Sequence, residues 1–131
     1  MNEQVTLYRF ELAFEGVPQE VGFLVGLDDC FSAELSMPLY ERFKDLPTPG
    51  VTYRERGTFW FTEYGYEAFA ADIQAVDDAL HEIGWSLLRY ELRLAQEEIN
   101  LLAQYQDRYQ VALPLEWTND KILIGGDDHD I

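Results

Sequence analysis

The chain has 131 residues, 47% of them apolar and 15% aromatic, and 25 acids against nine bases give a net charge of −16. That length and apolar content suit one folded domain with its own core and exclude a disordered acidic chain. The charge exceeds the roughly 2–8 units that keep a small domain soluble, and its sign opposes direct binding to nucleic acid or to an anionic membrane.

Residues 5–14 alternate, with Tyr8, Phe10, Leu12 and Phe14 on one side and Arg9, Glu11 and Ala13 on the other. This pattern predicts a half-buried strand. Glu15-Gly16-Val17-Pro18 turns the chain, and Val21, Phe23, Val25 and Leu27 predict a second strand. The two would form a hairpin whose loop is longer than two residues. Asp28-Asp29-Cys30 reads as a loop. Ser36 is placed to cap a short helix over 37–45, with Pro38 in its first turn and Leu39, Phe43 and Leu46 on one face. Pro47-Thr48-Pro49-Gly50 ends it. Residues 51–55 and 57–61 are β-prone, and Phe59-Trp60-Phe61 suits a buried strand. Trp60 cannot share a face with its neighbours there, so one face is an exposed aromatic patch or both are buried.

Thr62 predicts an N-cap, and Tyr66, Phe69, Ile73, Val76, Leu80 and Ile83 follow as an apolar stripe closed by Gly84. Residues 86–106 lack Gly and Pro. Leu88, Leu92, Ala95, Ile99 and Leu102 keep a 4-3 rhythm that predicts a second long helix. A competing strand pattern sets Leu88, Tyr90, Leu92 and Leu94 against Arg89, Glu91 and Arg93. Tyr109, Val111 and Leu113 alternate as a short strand, and residues 122–124 could pair weakly. The expectation is a single α+β domain over 1–124, a small antiparallel sheet packed against an antiparallel pair of helices. An acidic mobile tail over 125–131 would follow.

The chemistry-bearing residues are few. The single cysteine, Cys30, allows no internal disulfide, and no CxxC or Cys/His cluster suggests zinc or redox work. No Gly-x-Ser-x-Gly or phosphate-binding loop occurs. Asp127-Asp128-His129-Asp130 holds hard metal ligands without a preorganised spacing. The expectation is therefore no enzyme, with no catalytic residue, no metal and no cofactor. Met1-Asn2-Glu3-Gln4 lacks the features of a signal peptide, and no apolar run reaches membrane-span length, so a cytoplasmic protein is expected.

What carries information is the pattern of charge. Over 63–83 there are six acids and no Lys or Arg. Glu63, Glu67, Asp77, Asp78 and Glu82 lie on or near the arc opposite the apolar stripe, with Asp72 at the stripe's edge. Like charges three or four apart on a helix destabilise it slightly. The region is either an ordinary acidic solvated helix or a ridge of carboxylates presented like backbone phosphates. Tyr64 on the same helix, with Tyr105 and Tyr109, could supply an exposed aromatic anchor ringed by acids.

In size, charge and lack of catalytic motifs the chain resembles the small acidic inhibitors carried by phages and mobile elements: anti-CRISPR proteins, anti-restriction proteins and nuclease-inhibiting DNA mimics. Immunity proteins that block nuclease toxins share these traits. No aligned residue carries the likeness, so it transfers no site. It implies an inhibitor occupying a basic nucleic-acid-binding surface on a partner such as a CRISPR effector or a nuclease, in the host cytoplasm if phage-encoded. Glu63, Glu67, Asp77, Asp78, Glu82 and Tyr64 are the candidate contact residues. The alternatives are an immunity protein or antitoxin and, from another class, a structural or adaptor homo-oligomer joined through an aromatic face.

Overall fold

The computed structural model describes residues 4–22, 31–46, 59–114 and 122–125. The alternation near the N-terminus becomes β1 (Gln4–Phe14), the axis of an antiparallel sheet of seven strands. Along one edge β1 pairs over its whole length with β4 (Trp85–Ala95), from Gln4 opposite Ala95 to Phe14 opposite Trp85. Its other edge is shared. β2 (Val17–Gly22) lies beside Glu11–Phe14, and β3 (Phe59–Phe61) meets Tyr8. β6 (Gln110–Ala112) and then β5 (Tyr105–Gln106) extend the sheet beyond β3, while β7 (Ile122–Gly125) borders β4. Gly125, assigned from sequence to the tail, thus ends a strand.

Four helices are described: α1 (Ala33–Glu41), α2 (Glu63–Ala68), α3 (Ala70–His81) and α4 (Gln96–Leu102). One sheet face contributes Phe10, Leu12, Phe61 and Leu87 to a core completed by Leu39, Phe43 and Leu46 and by Phe69, Ile73, Val76 and Leu80. On the opposite face Leu7, Trp60, Leu92, Leu94, Val111 and Leu113 close around Ile99 of α4. Both faces of the Trp60–Phe61 segment are therefore core, as one of the two sequence readings required.

The fold is α+β with an antiparallel sheet, as expected, but the second long helix over 86–106 is absent. Its first ten residues belong to β4, and only Gln96–Leu102 is helical. A step of four residues returns to the same side of a strand as well as of a helix, so Leu88 and Leu92 satisfied both templates. Helix propensities differ by up to about 0.7 kcal/mol per ordinary residue. That preference yields to a continuous ladder with β1 and to burial of Leu87 and Leu88 on opposite faces. At the junction, the Glu98 carboxylate accepts the Ala95 N–H at 3.0 Å and starts α4.

Three further expectations are corrected. The β1–β2 loop has two residues, Glu15 and Gly16, with φ of +50° and +83°. Positive φ at both places is the hairpin turn whose twist matches the flanking strands. β2 consequently begins at Val17. Pro18 falls opposite Ala13, in the pair next to the turn-flanking one, where its missing N–H would have pointed away from β1. α1 starts at Ala33, after Ser32, and Ser36 is a buried residue within it. Pro38 sits mid-helix, and Glu34, whose carbonyl loses its donor, is exposed. Leu39, Phe43 and Leu46 are buried as predicted.

The third concerns Arg9 and Glu11, expected on a solvated face. They are 4% and 1% exposed and paired Nε to Oε2 at 2.7 Å. Burial holds the Arg9 guanidinium below its ordinary pKa, and the Glu11 carboxylate opposes that shift. The readings for residues 23–30, 47–58, 115–121 and 126–131 lie outside the described residues, including the strand over 51–55, Cys30 and the tail.

Candidate functional site

Thr62 begins the acidic segment as an N-cap, its Oγ1 accepting the Gly65 N–H at 3.0 Å. The same hydroxyl donates to the Arg108 carbonyl at 2.5 Å, and the Thr62 N–H donates to the Tyr109 carbonyl at 3.0 Å. Gly65 lies so close to the segment leading into β6 that a Cβ would overlap the Tyr109 carbonyl. A glycine inside a helix weakens it by about 1 kcal/mol relative to Ala. Here it admits the backbone that anchors α2 to the sheet.

The single predicted helix is two helices. Phe69, with φ −110° and ψ 13°, separates α2 from α3. Hydrogen bonds from Phe69 N–H to Gly65 and from Ile73 N–H to Phe69 span the bend, at 3.0 and 2.8 Å. Phe69, Ile73, Val76 and Leu80 enter one core with Tyr66 packed against it, while Ile83 is 45% exposed beyond the end of α3. Gly84, at φ +82°, closes the segment.

Because the apolar stripe stays inward across the bend, Glu63, Glu67, Asp78 and Glu82 all stay exposed. Asp78 accepts a hydrogen bond from Gln74 at 2.9 Å. Among the described residues no Lys or Arg pairs with any of the four. Asp77 differs. Its Oδ1 accepts the Leu87 N–H at 2.9 Å and faces His81 Nε2 at 3.3 Å. It fastens α3 to the start of β4 and is a structural residue. Asp72, at the stripe's edge, pairs with Arg42 at 3.0 Å and ties α3 to the chain leaving α1.

Tyr64 is 50% exposed but does not stand alone. Its ring lies 5.4 Å from that of Tyr109, and the Arg108 guanidinium sits 5.2 Å from the Tyr64 centroid and 5.0 Å from that of Tyr109. The anchor is a Tyr–Arg–Tyr cluster. The sequence named both tyrosines, but only the approach of 108–109 to α2 brings Arg108 against both rings.

A second aromatic group lies nearby. Tyr8 and Tyr66 are 4.5 Å apart, and Arg89 Nη1 donates to the Tyr66 hydroxyl at 2.6 Å. Burial first, and then the charges of Glu63 and Glu91, push the Tyr8 hydroxyl above its ordinary 10.0.

Chemically, this region can attract and orient cations. Exposed carboxylates lie along α2 and α3, with an aromatic–guanidinium cluster at the α2 end. Among the described residues no helix is long and apolar enough to cross a membrane. Comparison of the chain with models of protein families, with curated proteins and with solved structures finds no match.

Proposed function

We propose that the protein is an acidic inhibitor that occupies a basic nucleic-acid-binding surface on a partner protein, in the manner of an anti-CRISPR or other anti-defence DNA mimic. The observation that supports this reading is the outward face of α2 and α3. Glu63, Glu67, Asp78 and Glu82 are exposed there, and among the described residues no Lys or Arg pairs with them. A groove lined with Lys and Arg for phosphates would be drawn to such a face and would associate with it quickly at low salt. Tyr64, packed against Arg108 and Tyr109, adds an aromatic at one end of the face.

The test is kinetic. The protein is mixed with purified basic nucleases and CRISPR effectors, and association is followed at low and physiological salt with and without competing DNA. The triple variant Glu67→Gln/Asp78→Asn/Glu82→Gln should associate with its target roughly tenfold more slowly at low salt. Competing DNA should displace the wild-type protein. Asp77 is left out of this set because its loss would disturb the fold. An association rate that ignores both the three substitutions and salt would sink the proposal.

A further inference from the structure

At the end of the sheet where β1 turns into β2, the face that carries the larger core has three exposed apolar side chains among the described residues, Phe14, Val17 and Ile83. Phe14 lies opposite Val17 in β2 and opposite Trp85 in β4. Directly paired residues share a face, so these three side chains form one row across three strands. The next inward pair on that face, Leu12 and Leu87, is buried. α3 has ended by this point, and its chain leaves through Ile83 and Gly84. The Glu15 N–H bonds to the Gly84 carbonyl at 2.9 Å, which brings Ile83 to the same end of the sheet.

Val17 is 60%, Ile83 45% and Phe14 40% exposed. The aromatic members are held in place, with Phe14 and Trp85 rings 5.0 Å apart and Trp85 and Phe31 rings 4.9 Å apart. This is the apolar floor of the core continued to the two-residue hairpin.

The charge around it decides what can cover it. Glu15 and Glu82 flank the row in sequence and are exposed, and neither 10–22 nor 74–88 contains a Lys or Arg. A second copy of the chain would bring one acidic rim against another, with a net charge of −16 on each molecule. A basic segment would meet opposite charge on the rim and an apolar surface at its centre.

We propose that Val17, Phe14, Trp85 and Ile83 form a docking surface for an apolar side chain carried on a Lys/Arg-rich segment of a partner protein. The proposal deepens the functional reading above and rests on it, since Glu82 belongs to both surfaces.

Two synthetic peptides of equal lysine content, one with a central Leu-Phe pair and one with Ser-Ser, are titrated into the full chain at physiological salt. The double variant Val17→Ser/Ile83→Ser is the control. Both of its sites are exposed, and circular dichroism checks its fold. The Leu-Phe peptide should bind the wild type about tenfold more tightly than the Ser-Ser peptide, and the variant should lose that advantage. Equal binding of both peptides to the wild type would overturn the apolar surface and leave the acidic face standing. Binding of neither would remove both. A Leu-Phe advantage that survives in the variant places the contact elsewhere. A concentration-dependent dimer abolished by the double variant would overturn the basic partner in favour of a second copy.

Discussion

Single side chains in this protein do work that their residue type does not announce. Gly65 is a helix residue whose missing side chain makes room for the Tyr109 carbonyl. Gly65→Ala gains helix propensity yet should destabilise the protein, by about 1–3 kcal/mol or more, because the obstacle is backbone and has no rotamer to change. Urea unfolding would read this as a lower midpoint at unchanged slope. Asp77 looks like one more ridge carboxylate, yet it accepts the Leu87 N–H at 2.9 Å. Asp77→Ala should cost about 1–3 kcal/mol by stranding that donor, whereas Asp78→Ala should stay within about 0.5 kcal/mol. Tyr8 ionises above 10.0 in the folded state because burial and then neighbouring carboxylates disfavour its phenolate. The raised folded pKa means that its contribution to stability is whole below pH 10.0 and is lost as pH rises through the folded value. Ultraviolet titration should show that Tyr8→Phe removes one late-ionising tyrosine and leaves Tyr105, whose hydroxyl is held by its hydrogen bond to Asp107.

Among the elements, β4 separates what local pattern can say from what it cannot. Its residues are good helix formers, and apolar positions four apart cannot distinguish the two templates. The distinguishing mark is the alternation itself: Leu92 and Leu94 are buried while the Arg93 side chain is 63% exposed. Leu92→Ala and Leu94→Ala should each cost about 2–5 kcal/mol and Arg93→Ala less than about 0.5 kcal/mol. Equal losses at all three would contradict the strand. The α2–α3 segment shows the opposite case. Thr62, the stripe and Gly84 were legible because capping and period are local. The bend at Phe69 was not, because it follows from how the two halves fit the sheet.

Across the whole molecule the charge is dominant and uneven. With −16 on a 131-residue chain, self-repulsion opposes the compact state. The melting temperature should therefore rise as NaCl is added from low ionic strength and then level off as screening saturates. A melting temperature independent of salt would mean that the carboxylates are spaced or paired well enough to cancel their repulsion. The charge also bears on association. It disfavours joining two copies through the exposed row at Val17, Phe14 and Ile83 and favours a basic partner there.

Composition and local pattern alone determined the α+β class, β1, the cap at Thr62, the inward stripe of α2 and α3, and the acidity of their outward face. Each depends on period, capping or net charge, which neighbouring residues express without knowing the rest of the fold. Tertiary structure decided that residues 85–95 are a strand and that both faces of the sheet are buried. It also paired Arg9 with Glu11 inside, made Asp77 a fastening, and left Phe14, Val17 and Ile83 exposed at one end of the sheet. These depend on which distant segments meet across the sheet, and period-2 and period-3.6 patterns are silent about partners.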